Sequence, residues 1–341
     1  MKAAGWIAGG CVLGVLLLLE LVVGTVHIPL SDVWSILTGE VAERESWATI
    51  IFDSRIPRAL AALAGGGGLA ISGLLMQTYF RNALAGPSVL GLSSGASLGV
   101  ALVVLVAGGS VSIHSLTGIG SALTVALAAM IGSGSILILI MAVARRFHNA
   151  TSLLIFGLMI GYITSAVVAA LQFGASKESL QIFVLWGLGS FADVHGWALY
   201  VLLITVTAGL ILTLLILKHL NPLLMGEQTA QSMGVPVRKV NTLMLLITGI
   251  LAGSVTAFCG PIAFLGLAVP HLARGLVSSA NHRILLPATV LLGGGLGLIC
   301  DLLTRVPFFG HALPLNAITC LVGAPVVIWI VLRNQRMGQM L

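Results

Sequence analysis

The chain is built from runs of about twenty consecutive apolar residues, and that feature limits its fold more than any other. A run of that length lets an α-helix cross a hydrocarbon layer about 30 Å thick, with every backbone polar group bonded inside its own helix. The runs cover residues 5–26, 60–80, 89–107, 119–144, 153–173, 197–217, 242–259, 262–277, 284–303 and 315–332, which reads as ten spans. A shorter apolar stretch, 180–191, is too short to cross and reads as a re-entrant or interfacial helix. Only 8% of the residues are charged, against about a quarter in soluble domains, so no part of 1–341 is polar enough to be a separate soluble domain. The spans are uniformly apolar where a membrane β-barrel would alternate, so the expected class is an all-α membrane protein with one transmembrane domain. The first run lacks a clear cleavage site and reads as a retained span.

Ten spans put both termini on one side, and basic residues indicate which. With the N-terminus inside, Lys2, Arg81, Arg145, Arg146, Lys218, Arg238, Lys239, Arg274, Arg283, Arg333 and Arg336 face the cytoplasm. Arg44, Arg55, Arg58, Lys177 and Arg305 fall outside, so the positive-inside rule favours cytoplasmic termini. The net charge of +6 then reflects the inner membrane surface and requires no nucleic acid. Gly86-Pro87 and Gly260-Pro261 open similar Gly-Pro…Leu-Gly-Leu strings, and this topology puts them at opposite faces, as an inverted repeat would.

Much chemistry is missing from the sequence. It has no phosphate-binding loop, no HExxH and no serine-nucleophile elbow, so neither an enzyme nor a cofactor-binding protein is expected. Cys11, Cys259, Cys300 and Cys320 have no metal-ligand spacing and read as buried thiols. Gly65–Gly68 read as a close-packing site. Glu20 is the one intramembrane acid, more simply a hydrogen-bonded group than a proton site, while Asp301 and Arg305 are spaced for a helical ion pair.

Three polar features remain. Arg55-Ile56-Pro57-Arg58 places two cations at the outer mouth of a span, where they either anchor the helix or face an acidic partner. The segment 218–240 reads as a turn at Asn221-Pro222 and a short helix from Glu227 to Met233, stopped by Gly234, and suits a handle for another protein. The turns Arg81-Asn82-Ala83-Leu84 and Asn149-Ala150-Thr151-Ser152 can cap helices or form a gate.

Six strings in order resemble the permeases of type II ABC importers for iron-siderophores, haem and cobalamin. They are Arg55–Arg58, Tyr79-Phe80-Arg81-Asn82-Ala83-Leu84-Ala85, Gly91–Ala96, Gly226-Glu227-Gln228-Thr229-Ala230, Gly260–His271 and Leu321-Val322-Gly323-Ala324-Pro325. The resemblance implies ten helices per subunit and a permease dimer in the bacterial inner membrane. It also implies an extracytoplasmic binding protein docking on Arg55, Arg58 and Arg305, and a cytoplasmic gate of Asn82, Leu84, Thr151 and Ser152. Gly226, Glu227, Thr229, Ala230, Met233 and Gly234 match a helix that couples to two cytoplasmic ATPase subunits, which would use the ATP and Mg. Two departures stand out: Ala83 and Ala312 replace the family's usual proline and glutamate. Haem ligation by His27, His114, His195 or His311 is not expected from surface histidines. The competing reading is an ion-gradient-driven carrier coupled at Glu20.

Overall fold

The computed structural model describes residues 3–24, 26, 28–39, 44–106, 119–144, 146, 150–305 and 313–338. Lys2, Arg145, Asn149, His27, His114, His311 and Ala312 lie outside them, as do the side chains of Arg333 and Arg336. All regular structure among the described residues is helical.

In order, α1 is Ala3–Val22, α2 Leu30–Thr38 and α3 Glu45–Thr49, followed by a π turn at Ile50–Arg55 and α4 at Ile56–Phe80. A 3-10 turn, Pro87–Leu90, leads into α5 (Leu92–Ala101) and its π extension Leu102–Val106. Then come α6 (Ile119–Ala144), α7 (Ala150–Phe173), α8 (Lys177–Gly187), α9 (Gly196–Leu224) and α10 (Glu227–Ser232). The last four are α11 (Val237–Cys259), α12 (Leu265–Val277), α13 (His282–Thr304) and α14 (Leu315–Gly338). Among the described residues seven helices are long and apolar enough to cross a membrane, and the shorter apolar helices at Leu92–Val106, Leu265–Val277 and Leu315–Trp329 match the remaining apolar runs.

The second span starts earlier than its hydrophobicity suggests, because α3, the π turn and α4 run continuously from Glu45 to Phe80. Pro57, near the start of α4, has no N–H to give to residue 53, and the wide π turn carries the helix past the missing bond. The short apolar stretch forms helix α8, Lys177–Gly187, capped by Ser176 accepting from Ser179 N–H, so the helix starts and ends a few residues before that stretch.

Helix α4 is the hub of the bundle. Of its most apolar stretch 89% is buried, against 11% for α1 and 22% for α7, which leaves those two at the periphery. It packs on α13, α11, α12 and α9, and glycines allow the backbones to meet. A Cβ on Gly73 would stand 1.6 Å from the Gly266 carbonyl oxygen of α12. One on Gly66 would stand 2.2 Å from that of Gly293 in α13. The glycine run is a packing seam, as its composition suggests. Cys259 and Cys300 are buried, but Cys11 is exposed on α1, contrary to the expectation of four buried thiols.

Candidate functional site

Two ends of the bundle each carry a cluster of polar contacts between helices. At the first, the C-termini of α1 and α13 meet the start of α4. The last turn of α1 and the residues just after it leave carbonyls free, and two arginines from elsewhere in the chain supply donors. Arg55 donates to the carbonyls of Leu21 and Val26. Arg305 donates to those of Glu20 (3.0 Å) and Val23 (2.7 Å) and pairs with the Glu20 carboxylate. Asp301 joins the set, accepting from Arg58 Nε at 2.7 Å and from Arg305 at 2.7 Å, while Arg58 also donates to Thr304 Oγ1 at 3.0 Å.

The i,i+4 pair of Asp301 and Arg305 is therefore present, and Glu20 is the hydrogen-bonded residue the simpler reading expects. The cations expected at an outer mouth are mostly satisfied within the chain. The side chain of Arg58 is 23% exposed, that of Arg305 is 7% exposed, and Arg55 is 5% exposed.

The other end gathers the C-termini of α4, α9 and α12 with the N-terminus of α13. The expected turn at Asn221-Pro222 does not form: both residues lie in the last turn of α9, and the chain turns at Met225–Gly226, where Gly226 has φ +109°. The reason is the Asn221 side chain. Its Oδ1 accepts from the His282 backbone N–H at 2.9 Å and its Nδ2 donates to Asn281 at 2.9 Å, so the end of α9 caps the start of α13. The Nε2 of His282 lies 2.8 Å from Thr78 Oγ1, tying α4 to the same junction.

Past Gly226, α10 covers the six residues Glu227–Ser232, one residue short of the expected limit at Met233, with Gly234 at φ +78°. Ala230 is fully buried, and Val235 N–H donates to its carbonyl at 3.0 Å. Glu227 is half-buried and accepts from Asn241 Nδ2 at 3.1 Å. Thr229, Met233 and Gly234 are exposed. The six residues picked out by the resemblance thus divide into an anchoring set and a presenting set.

Asn82, Leu84 and Thr151 are exposed and Ser152 half-buried. Asn82 Oδ1 accepts from Leu84 N–H at 2.9 Å, closing a side-chain turn that needs no proline at Ala83. Thr151 and Ser152 stand in the first turn of α7, not in a free turn. The two Gly-Pro breaks do not lie at opposite faces: Gly86, Ser88 and Val89 share one cavity of about 250 Å³ with Pro261–Phe264. Asn316 pins the second break, accepting from Ala263 N–H at 3.1 Å, and Phe264 holds φ +65° against Gly323 of α14.

One group was missed from sequence. Ser93, Ser94 and Ser97 of α5 and Ser165 and Gln172 of α7 line a groove of about 260 Å³. Buried Thr213 and Thr289 bond back to carbonyls one turn earlier, at 2.7 Å each. No such back-bond holds these four serines, which leaves their hydroxyls for the groove. The i, i+1, i+4 serine spacing inside an apolar run was the available signal. Among the described residues no cluster of metal-ligating side chains occurs, and His195 stands exposed at the start of α9.

Comparison with known proteins follows this architecture along its length. The FecCD transport family matches residues 12–333. The hemin transport system permease protein HmuU of Yersinia pestis is 36% identical over 318 residues, 92% of each chain. The vitamin B12 import system permease protein BtuC of Klebsiella pneumoniae is 33% identical over 338 residues, 99% of this chain and 96% of that one. A solved structure described as an inward-facing conformation of a metal-chelate type ABC transporter superposes with a TM-score of 0.83 at 26% identity, covering 96% of this chain and 98% of that one. The ion-gradient alternative loses its support, since Glu20 is closed off by Arg305. The chain is a membrane permease and belongs to the FecCD transport family.

Proposed function

We propose that this chain is the membrane-spanning subunit of an ATP-driven importer for an iron-siderophore, haem or a cobalamin-like molecule, working as a homodimer in the bacterial inner membrane with cytoplasmic termini. An extracytoplasmic binding protein hands substrate to it, and two cytoplasmic ATPase subunits supply the energy. ATP and Mg belong to those partners, and this chain holds no cofactor. The observation that carries the reading is α10, a short helix fixed by buried Ala230, which with its C-terminal cap presents Thr229, Met233 and Gly234 outward. A surface helix rigidly joined to α9 and α11 can pass a movement of the ATPases into the bundle. Of the three docking arginines Arg58 is the accessible one, so acidic groups of the binding protein meet it first. Asn82, Leu84, Thr151 and Ser152 form the cytoplasmic gate, and the serine groove is a stretch of substrate wall that offers hydrogen bonds without fixed charge.

The test is co-purification with the ATPase encoded alongside, followed by ATP hydrolysis and uptake in vesicles. A Thr229→Trp/Met233→Asp variant should leave the permease folded while association weakens roughly tenfold or more, as for central interface residues. Unchanged hydrolysis and uptake would remove α10 from the coupling role. For the groove, Ser97→Leu/Ser165→Leu should slow uptake roughly tenfold, the equivalent of about 1.4 kcal/mol, with thermal stability retained. Uptake at the wild-type rate would take the groove off the substrate path.

A further inference from the structure

A cavity of about 760 Å³ lies at the α10 end between α4, α12, α13 and α14, and neither coupling nor gating uses it. Its lining includes two cations, Arg81 and Arg274. Arg274 donates to the side-chain oxygen of Gln77, a neutral acceptor whose own amide is spent on the Leu267 carbonyl at 3.1 Å. Arg81 is exposed at the left-handed residue that ends α4, close to Gly226. Among the described residues no carboxylate forms an ion pair with either guanidinium, and Glu227, just beyond Gly226, gives an oxygen to Asn241 instead. The two imidazoles in the wall are already engaged, His271 with the Ala83 carbonyl and His282 with Thr78 and Asn221. The cavity's unanswered demand is therefore for an anion.

The rim of the cavity is of the opposite character. Leu224, Leu276 and Trp329 border it and are 40%, 65% and 56% exposed. A free anion would have no use for that apolar border, and an acidic protein side chain would have little. A molecule with a negative head and long hydrocarbon chains satisfies both parts. Cationic pockets between membrane helices hold anionic lipid headgroups for this reason, and the volume is in the range of small-ligand sites. We propose that this cavity binds an anionic phospholipid, with the phosphate between Arg81 and Arg274 and the acyl chains on Leu224, Leu276 and Trp329. The bound headgroup would hold the end of α4 against the turn that launches α10.

The experiment uses the full-length chain, delipidated in detergent, with lipid retention read by native mass spectrometry and stability by thermal unfolding. Phosphatidylglycerol should be retained and should raise the unfolding temperature, whereas phosphatidylcholine of the same chains and inorganic phosphate alone should do neither. Arg81→Gln, at an exposed position, should weaken phosphatidylglycerol retention roughly fivefold, the loss expected for one basic contact. Arg81→Gln/Arg274→Gln should abolish the preference over phosphatidylcholine. Equal retention of both lipids overturns the assignment, as does a shift produced by phosphate alone or phosphatidylglycerol retention that ignores Arg81→Gln. Exclusion of lipid from the complex with the ATPase subunits would likewise overturn it, in favour of a protein contact.

Discussion

Gly67→Ala is expected to raise the unfolding temperature of the detergent-solubilised protein, while the same change one residue earlier, Gly66→Ala, abolishes recovery of folded protein. The two positions have the same residue, the same helix and the same apolar surroundings, yet face different neighbours. A Cβ on Gly67 would meet nothing nearer than the Val290 carbonyl oxygen at 3.8 Å, an ordinary contact. There the substitution keeps only the gain in helix propensity, about 0.5–1 kcal/mol, or a rise of roughly 1–3 °C. On Gly66 the methyl would stand 2.2 Å from the Gly293 carbonyl oxygen and 3.1 Å from the Gly297 Cα. Both obstacles are backbone, so no rotamer change clears them and α4 and α13 must separate. Overpacking in a soluble core costs about 1–3 kcal/mol where side chains yield, and here none can. Gly73→Ala, with its Cβ 1.6 Å from the Gly266 oxygen, should behave as Gly66→Ala does. Fluorescence-detected size-exclusion and thermal unfolding of the variants decide the matter. Equal behaviour of Gly66→Ala and Gly67→Ala would refute the seam.

Asp301→Asn should be the most damaging change at the opposite end. Asp301 is 1% exposed and bridges Arg58 and Arg305, so its neutral isostere leaves Arg58 facing a weak acceptor and Arg305 with Glu20 as its one carboxylate partner among the described residues. Breaking a buried ion pair by removing one partner costs about 3–5 kcal/mol. Arg305→Met should be comparably harmful, since it strands Glu20 and strips Asp301 of one of its two cations. The Glu20→Gln/Arg305→Met double variant should recover part of that loss, because Glu20 is no longer left as an unpaired buried carboxylate, while Asp301 keeps Arg58. Unfolding temperatures of the three variants measure it. A double variant no more stable than Arg305→Met alone would show that Glu20 and Arg305 act independently.

The helices were legible in the sequence because crossing a membrane leaves a chain little choice: every apolar run became a helix. The beginnings and ends were less legible, because distant residues set them. Asn221-Pro222 has the composition of a turn, yet the last turn of α9 survives there because Asn221 is needed to cap α13, sixty residues later. The extension of the second span back to Glu45 is invisible to hydropathy, since Asp53 and Arg55 lie within it. Arg55 and Arg58 stood out correctly as unusual. Sequence could not show that their partners were the carbonyls of Leu21 and Val26 and the carboxylate of Asp301, because these contacts bridge 29 to 243 residues. The α10 segment was legible to within a residue because its signals, Gly226, Gly234 and Pro236, are local.

The arginine cluster also bears on the order in which the protein can be completed as it leaves the ribosome. Arg55 follows its Leu21 acceptor by 34 residues, so the end of the first helix can be sealed almost as soon as the second enters the bilayer. Glu20 must wait for a cation 285 residues further along. Until the ninth of the ten apolar runs has emerged, the nascent chain holds an unanswered acid at the edge of the membrane. A first helix that packs poorly on its own is therefore clasped to the bundle only when synthesis is nearly over, and a chain truncated before Arg305 should be a ready substrate for membrane proteases.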